Sequence, residues 1–295
     1  MGVRRTSELS ARSFPFQQVD VFSAVPFQGN PVAVVLDADG LSAERMQSIA
    51  NWTNLSETTF VCEPADARAD YRLRIFTPRS ELAFAGHPTI GSAHAALRHG
   101  VKPKHASQFV QECGKGLVTL RIDRDRLFLA LPAPVLREVS RSMLGEFAAA
   151  LGVGSESLRA SAAIDVGITW LTLQLADAAI VRGLRPDLAR IRTLTPSGVA
   201  GITVFGLNAG SAERQIEVRS FAPAEGVPED PVCGSGNGCV AALVRSERLI
   251  SGHSYVASQG SCVGRDGRVE IRFEDDGTIW LGGHAVTCIE GILRA

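Results

Sequence analysis

Apolar and polar positions alternate in two ways along this chain, and the alternation marks out its elements. Phe16 to Phe22, the valine-rich run Pro31 to Leu36 and Tyr71 to Phe76 have the short, β-branched or alternating pattern of strands. Further strands are expected near 107–112, 117–122, 127–131, 162–168, 169–175, 178–181, 201–207 and 214–221. Others follow near 253–259, 268–273, 279–282 and 284–293. Helical spacing appears four times. Ser42 caps a helix carrying Met46, Ile49 and Ala50, with Leu41 and Met46 placed as a staple and an end near Asn51. Pro88 sits in the first turn of a second, followed by Ile90, Ala93 and Leu97. Met143 to Leu151 forms a third, stopped by Gly152, and Cys239 to Leu249 a fourth. Pro186 opens a short helix with Leu188 and Ile191.

The pattern repeats. Arg74-Ile75-Phe76-Thr77-Pro78 and Arg219-Ser220-Phe221-Ala222-Pro223 both read R-x-F-x-P. Each is followed by a loop with an acid, by glycine (Gly86-His87-Pro88 or Gly234-Ser235), and then by a small-residue helix. Two similar lobes are expected, each a mostly antiparallel sheet curled around a central helix, an α+β fold. The proline-rich Leu131-Pro132-Ala133-Pro134 marks the crossing. The expected division is a polar extension at 1–13, an N-terminal lobe of 14–131 plus 280–295, and a C-terminal lobe of 132–279.

Composition narrows the function. The 295 residues carry 30 basic and 31 acidic side chains, a net charge of −1, and 45% of them are hydrophobic. Neither sign dominates, which argues against nucleic-acid and membrane-surface partners. No apolar run approaches the roughly 20 residues of a membrane span, and no apolar h-region follows Arg4 and Arg5. Six scattered cysteines without a C-x-x-C pair suit free thiols in the cytoplasm. No histidine cluster has metal-ligand spacing, so no metal is expected.

The densest chemistry lies in Glu229-Asp230-Pro231-Val232-Cys233-Gly234-Ser235-Gly236-Asn237-Gly238-Cys239. Its glycines match neither the dinucleotide fingerprint nor the phosphate loop nor the hydrolase elbow. Glycines where a loop becomes a helix let a ligand approach the backbone, and the free amides there attract an anion. With Gly86 and His87 beginning the matching helix, one anionic substrate held between two helix starts is the economical inference. Glu57 stands where loop becomes strand, within Asn54-Leu55-Ser56-Glu57.

These residues resemble a known family, the phenazine-biosynthesis PhzF-like isomerases of the diaminopimelate epimerase-like fold. The motifs are Gln18-x-Asp20-x-Phe22, Gly29-Asn30-Pro31, Asn54-Leu55-Ser56-Glu57, Arg74-x-Phe76-Thr77-Pro78, Gly86-His87-Pro88-Thr89, Glu229-Asp230-Pro231-Val232 and Gly282-Gly283-His284-Ala285-Val286. The resemblance implies a cleft between two lobes, no cofactor and a homodimer. It makes Glu57 the group that shuttles a proton at carbon, with His87, Asp230 and Ser235 holding a small carboxylate beside Gly86, Gly234 and Cys233. Cys233 stands where the family often has threonine and related amino-acid epimerases have cysteine. Their second cysteine is Ala85 here, so a two-thiol mechanism is absent. A cysteine beginning a helix is expected to have a lowered pKa, yet a small packed role is preferred for Cys233. Two alternatives stay open: a one-cysteine amino-acid epimerase or racemase using Cys233, and a non-catalytic binder of small acids.

Overall fold

The computed structural model describes residues 12–211 and 214–295, so most of the polar extension read at 1–13 lies outside the described residues. The first half contains β1 (Ser13–Val21), β2 (Asn30–Val35), α1 (Ala43–Thr53), β3 (Thr58–Cys62), β4 (Tyr71–Phe76) and β5 (Glu81–Leu82). It continues through α2 (Gly86–His99), β6 (Gln108–Cys113), β7 (Gly116–Asp123) and β8 (Arg126–Ala130). The second half has β9 (Val135–Arg137), α3 (Arg141–Leu151), β10 (Leu158–Asp165), β11 (Thr169–Leu175), α4 (Ala178–Gly183) and α5 (Leu188–Leu194). Then come β12 (Gly201–Leu207), β13 (Ile216–Ala222), β14 (Val227–Asp230), α6 (Gly234–Ser246), β15 (Ser254–Gln259), β16 (Gly267–Phe273) and β17 (Ile279–Arg294).

The repeat seen in the sequence is a repeat of pairing. From β2 to β8 the strands join as parallel β2–β3, antiparallel β3–β4, parallel β4–β6, then antiparallel β6–β7 and β7–β8. From β11 to β17 the same order returns: parallel β11–β12, antiparallel β12–β13, parallel β13–β15, then antiparallel β15–β16 and β16–β17. In each half the central helix, α2 or α6, falls at the same place, before the strand of the second parallel pair.

The halves differ at closure. β17 pairs with β8 through Trp280–His284 and with β1 through Ala285–Arg294. Since β1 also pairs with β2, seven strands of the first half and β17 form a closed circuit of eight. The second half ends on the same β17, whose Ile279–Gly282 pairs with β16.

The central helices bury small residues. Ile90, Ala93, Ala95 and Ala96 of α2 and Val240, Ala241, Ala242 and Leu243 of α6 share one continuous core with strand residues of both halves. Gly91 is needed for that fit, because a Cβ there would fall 2.4 Å from Val32 Cγ1. Outside the barrel, α1 covers Val35, Phe60 and Phe76. On the second half, α3, α4 and α5 cover Leu171, Leu173, Ile202 and Val204.

Two expectations are corrected. The segment 178–181 is not a strand but part of α4. Asp177 caps it, its Oδ1 accepting from Ile180 N at 2.8 Å, and a capped first turn outweighs the β-branched run. The expected strands 279–282 and 284–293 are one strand, because Gly283, at φ 148°, carries the chain through. The fourth helix begins at Gly234, at the expected helix start, and its glycines lie inside it ahead of the apolar run from Cys239, since burial against both halves overrides their weak helix propensity.

Candidate active site

Glu57 ends the loop that leads into β3. Asn54 closes α1 in the left-handed conformation, Thr53 and Thr58 hydroxyls bond at 2.6 Å, and the Glu57 carbonyl accepts from Ala33 N. Its side chain is only 16% exposed. Glu57 Oε2 is buried without a hydrogen-bond partner, as is His87 Nε2. The two atoms are 3.3 Å apart but out of line for a hydrogen bond. An orphaned carboxylate oxygen in a buried site is costly to maintain and is characteristic of a group kept for a ligand.

His87 lies in the first turn of α2. Burial holds its imidazole below the ordinary value, against the opposing pull of Glu57 and of a backbone hydrogen bond to Pro31. It is therefore neutral at pH 7. The start of α2 has no side-chain cap, Ala85 being its N-cap residue.

Asp230 closes β14, and its Oδ1 accepts from Asn30 Nδ2 and from Val232 N, both at 3.0 Å. Its carboxyl is pushed up to about 7, first by burial and then by the charge of Glu57. Around neutral pH it is shared between acid and carboxylate. Glu229 beside it is locked into a two-pronged pair with Arg219, Nε and Nη2 each 2.8 Å from a carboxylate oxygen.

At the start of α6, Cys233 is buried. Its Sγ accepts from Gly236 N at 3.2 Å, which makes it the cap of the helix. Ser235 Oγ accepts from Trp170 Nε1 at 3.0 Å. Gln259 fixes the loop: Oε1 accepts from Cys233 N and Asn237 Nδ2, and Nε2 donates to the Asp230 carbonyl. The lowered thiol pKa expected for Cys233 is a further correction. Burial, then the neighbouring Asp230, pushes it well above the ordinary value, and the helix start does not compensate.

The two helix starts meet. A Cβ on Gly234 would lie 3.4 Å from His87 N, so the backbones converge across the halves. Beside them opens a cavity of about 380 Å³, lined by Gly86, Gly234 and Ser235 together with Leu129, Leu131, Leu281 and other, mostly apolar, residues. Glu57, His87 and Asp230 do not line it. His87 follows the lining residue Gly86, and Glu57 lies behind His87.

The structure thus brings Gly86, His87, Cys233, Gly234 and Ser235 into one place. Glu57 joins them through His87, and Asp230 through its own helix start and through Glu57's charge. Asn30 and Gln259 were not picked out as site residues by sequence reasoning. Their only signal is the Gly29-Asn30-Pro31 motif for the first, and none for the second. Among the described residues, no group of three or more His, Cys, Asp or Glu is placed to hold a metal ion, and no helix is long and apolar enough to cross a membrane.

A family model of phenazine biosynthesis-like proteins matches residues 19–291. The chain belongs to that family. It is 41% identical to "Antisense-enhancing sequence 1" of Schizosaccharomyces pombe, over 94% of this chain and 97% of the other. It is 34% identical to a trans-2,3-dihydro-3-hydroxyanthranilate isomerase of Pseudomonas aeruginosa, over 92% and 96%. In fold it is similar to the Bacillus anthracis phenazine biosynthesis protein of the PhzF family, with TM-score 0.84, 24% identity, and 96% and 99% coverage. The diaminopimelate epimerase-like α+β expectation is met, and family membership makes the chain an isomerase or epimerase.

Proposed function

We propose that this isomerase moves a proton on a small carboxylate substrate without a cofactor, with Glu57 as the single acid/base. The observation that carries the reading is Glu57 Oε2: buried, without a hydrogen-bond partner, and 3.3 Å from His87 Nε2. Glu57 takes a proton from carbon, which breaks the C–H bond and forms an O–H bond on the carboxyl. The electron pair delocalises toward the substrate carboxylate and the double bond shifts. Glu57, whose carboxyl proton can exchange with solvent, then delivers a proton to another carbon. The backbone amides beginning α2 and α6 face the growing negative charge. Neutral His87 can donate to or accept from the substrate without adding a charge. Asp230, half-protonated near neutral pH, orients a hydroxyl or amine.

Cys233 is proposed as a packed cap rather than as an acid/base, because its sulfur is spent on Gly236 N and its thiol resists ionisation. The substrate of the Pseudomonas relative, trans-2,3-dihydro-3-hydroxyanthranilate, is the first compound to try. The test is Glu57→Gln, which keeps the shape and removes the base. Deuterium exchange at the substrate carbon, followed by NMR, should fall at least about 100-fold. Exchange at the wild-type rate would sink the assignment.

A further inference from the structure

The cavity beside the helix starts holds one cation that the proposed chemistry does not use. Of the side chains lining it, only Lys115 and Ser235 are polar, and Ser235 is already bonded to Trp170. Lys115 lies in the tight turn between β6 and β7, anchored by its own N–H to the Ala83 carbonyl at 3.2 Å. Its ammonium lies 5.7 Å from the centre of the Phe84 ring and reaches the other half, where a Cβ on Gly167 would fall 3.1 Å from Nζ. Gly167 has φ 103°, so glycine suits that turn twice over. Among the described residues Lys115 makes no ion pair. The matching turn of the second half, between β15 and β16, carries Arg265, whose Nη1 is taken by the Phe27 carbonyl at 2.9 Å. One copy of the turn spends its cation on the protein, and the other leaves it facing a cavity.

We infer that Lys115 is a specificity-determining residue, and that the cavity takes a small acid with an apolar body and a second anionic group, which Lys115 recognises. The inference rests on the cleft being an acid-binding site. The body would lie against Phe84, Leu129, Leu131 and Leu281, as most ligand pockets are apolar with few placed polar groups. One anionic group would meet the amides of Gly86 and Gly234, and the second the ammonium.

The test uses equilibrium binding by calorimetry, which needs no turnover and so separates this inference from the role of Glu57. The probes are benzoate and benzene-1,3-dicarboxylate. Wild-type protein should bind the diacid about tenfold tighter, the worth of one charge-assisted hydrogen bond. Lys115→Met should reduce that preference to within about twofold and leave benzoate binding unchanged. Lys115→Arg should keep it, and Glu57→Gln should leave the preference intact. Equal binding of the two acids by wild type, survival of the preference in Lys115→Met, or binding of neither acid would each overturn the inference. Lys115 is exposed on its turn, so its replacement leaves the core untouched.

Discussion

The two halves repeat each other strand for strand, yet each supplies an acid that the other lacks. The register fixes the correspondence. Phe76 pairs with Thr58, and Phe221 pairs with Ile202. One residue earlier stands Glu57 in the first half and Gly201 in the second, where a Cβ would fall 2.1 Å from the Phe221 carbonyl oxygen. The arginines of the repeat make the same two-pronged pair, Arg74 with Glu81 at 2.7 Å and Arg219 with Glu229 at 2.8 Å. Each arginine also sits over its own phenylalanine. The residue after the acid is Leu82 in the first half and Asp230 in the second, and at the helix starts Ala85 corresponds to Cys233. A two-fold repeat with Glu57 in one half and the proton-sharing Asp230 in the other is a lopsided site. Lopsidedness suits a reaction in which a single group removes and returns the proton.

The largest effect should come from breaking the arginine pair of the second half, with that of the first half as its control. Arg219 and Glu229 have side chains only 7% and 12% exposed, and Arg219 Nη1 also donates to the Val181 and Leu184 carbonyls. Arg74 and Glu81 are 27% and 42% exposed. Arg219→Met should therefore cost about 3–5 kcal/mol, since it strands a buried carboxylate. Arg74→Met should cost about 0–1 kcal/mol. Urea melts of the two variants decide it, and equal losses would show that burial is not what separates the pairs.

Next comes Asp230, the acid of the second half. Asp230→Asn keeps both accepted hydrogen bonds within reach and removes the titration. Its catalytic loss should be about 100-fold if the group positions or protonates substrate. A stability signature follows from its raised pKa. Folding favours the protonated form, so the stability it contributes is full below the ordinary 3.8 and is lost as pH rises to about 7. Thermal melts from pH 4 to 8 should show the Asn variant gaining on wild type across that window and holding its gain above it. Parallel curves would remove Asp230 from the account.

The smallest effect should be at Cys233. Cys233→Ser and Cys233→Thr keep a capping atom at the start of α6, and steady-state turnover should stay within about tenfold of wild type. If turnover vanishes while binding survives, the thiol is an acid/base, and the site is a two-sided epimerase site after all.

Much of this was legible in advance. The caps Ser42 and Gly152, the placing of Pro88 and the doubled R-x-F-x-P follow from local stereochemistry, which nearby residues decide. The strand expected at 178–181 failed because Asp177 offered a cap that β-branched residues could not outweigh. Lys115 carried no signal at all: a lysine in a Gly-Lys-Gly turn is a solvated surface residue until a cavity is found beneath it.

By itself, the sequence determined which segments alternate, where helices begin, that the chain repeats, and which acids sit beside glycine-rich helix starts. All of these depend on neighbours a few residues away. Only the tertiary structure decided how the halves join, through one β17 that closes the first barrel. It also decided that Asn30 holds Asp230 from 200 residues away and that burial, then the charge of Glu57, raises Asp230's pKa. Burial, then Asp230, raises the thiol of Cys233, although a helix start taken alone would lower it. Charge and solvation act through space, and the chain that sets them is folded from residues that the sequence keeps far apart.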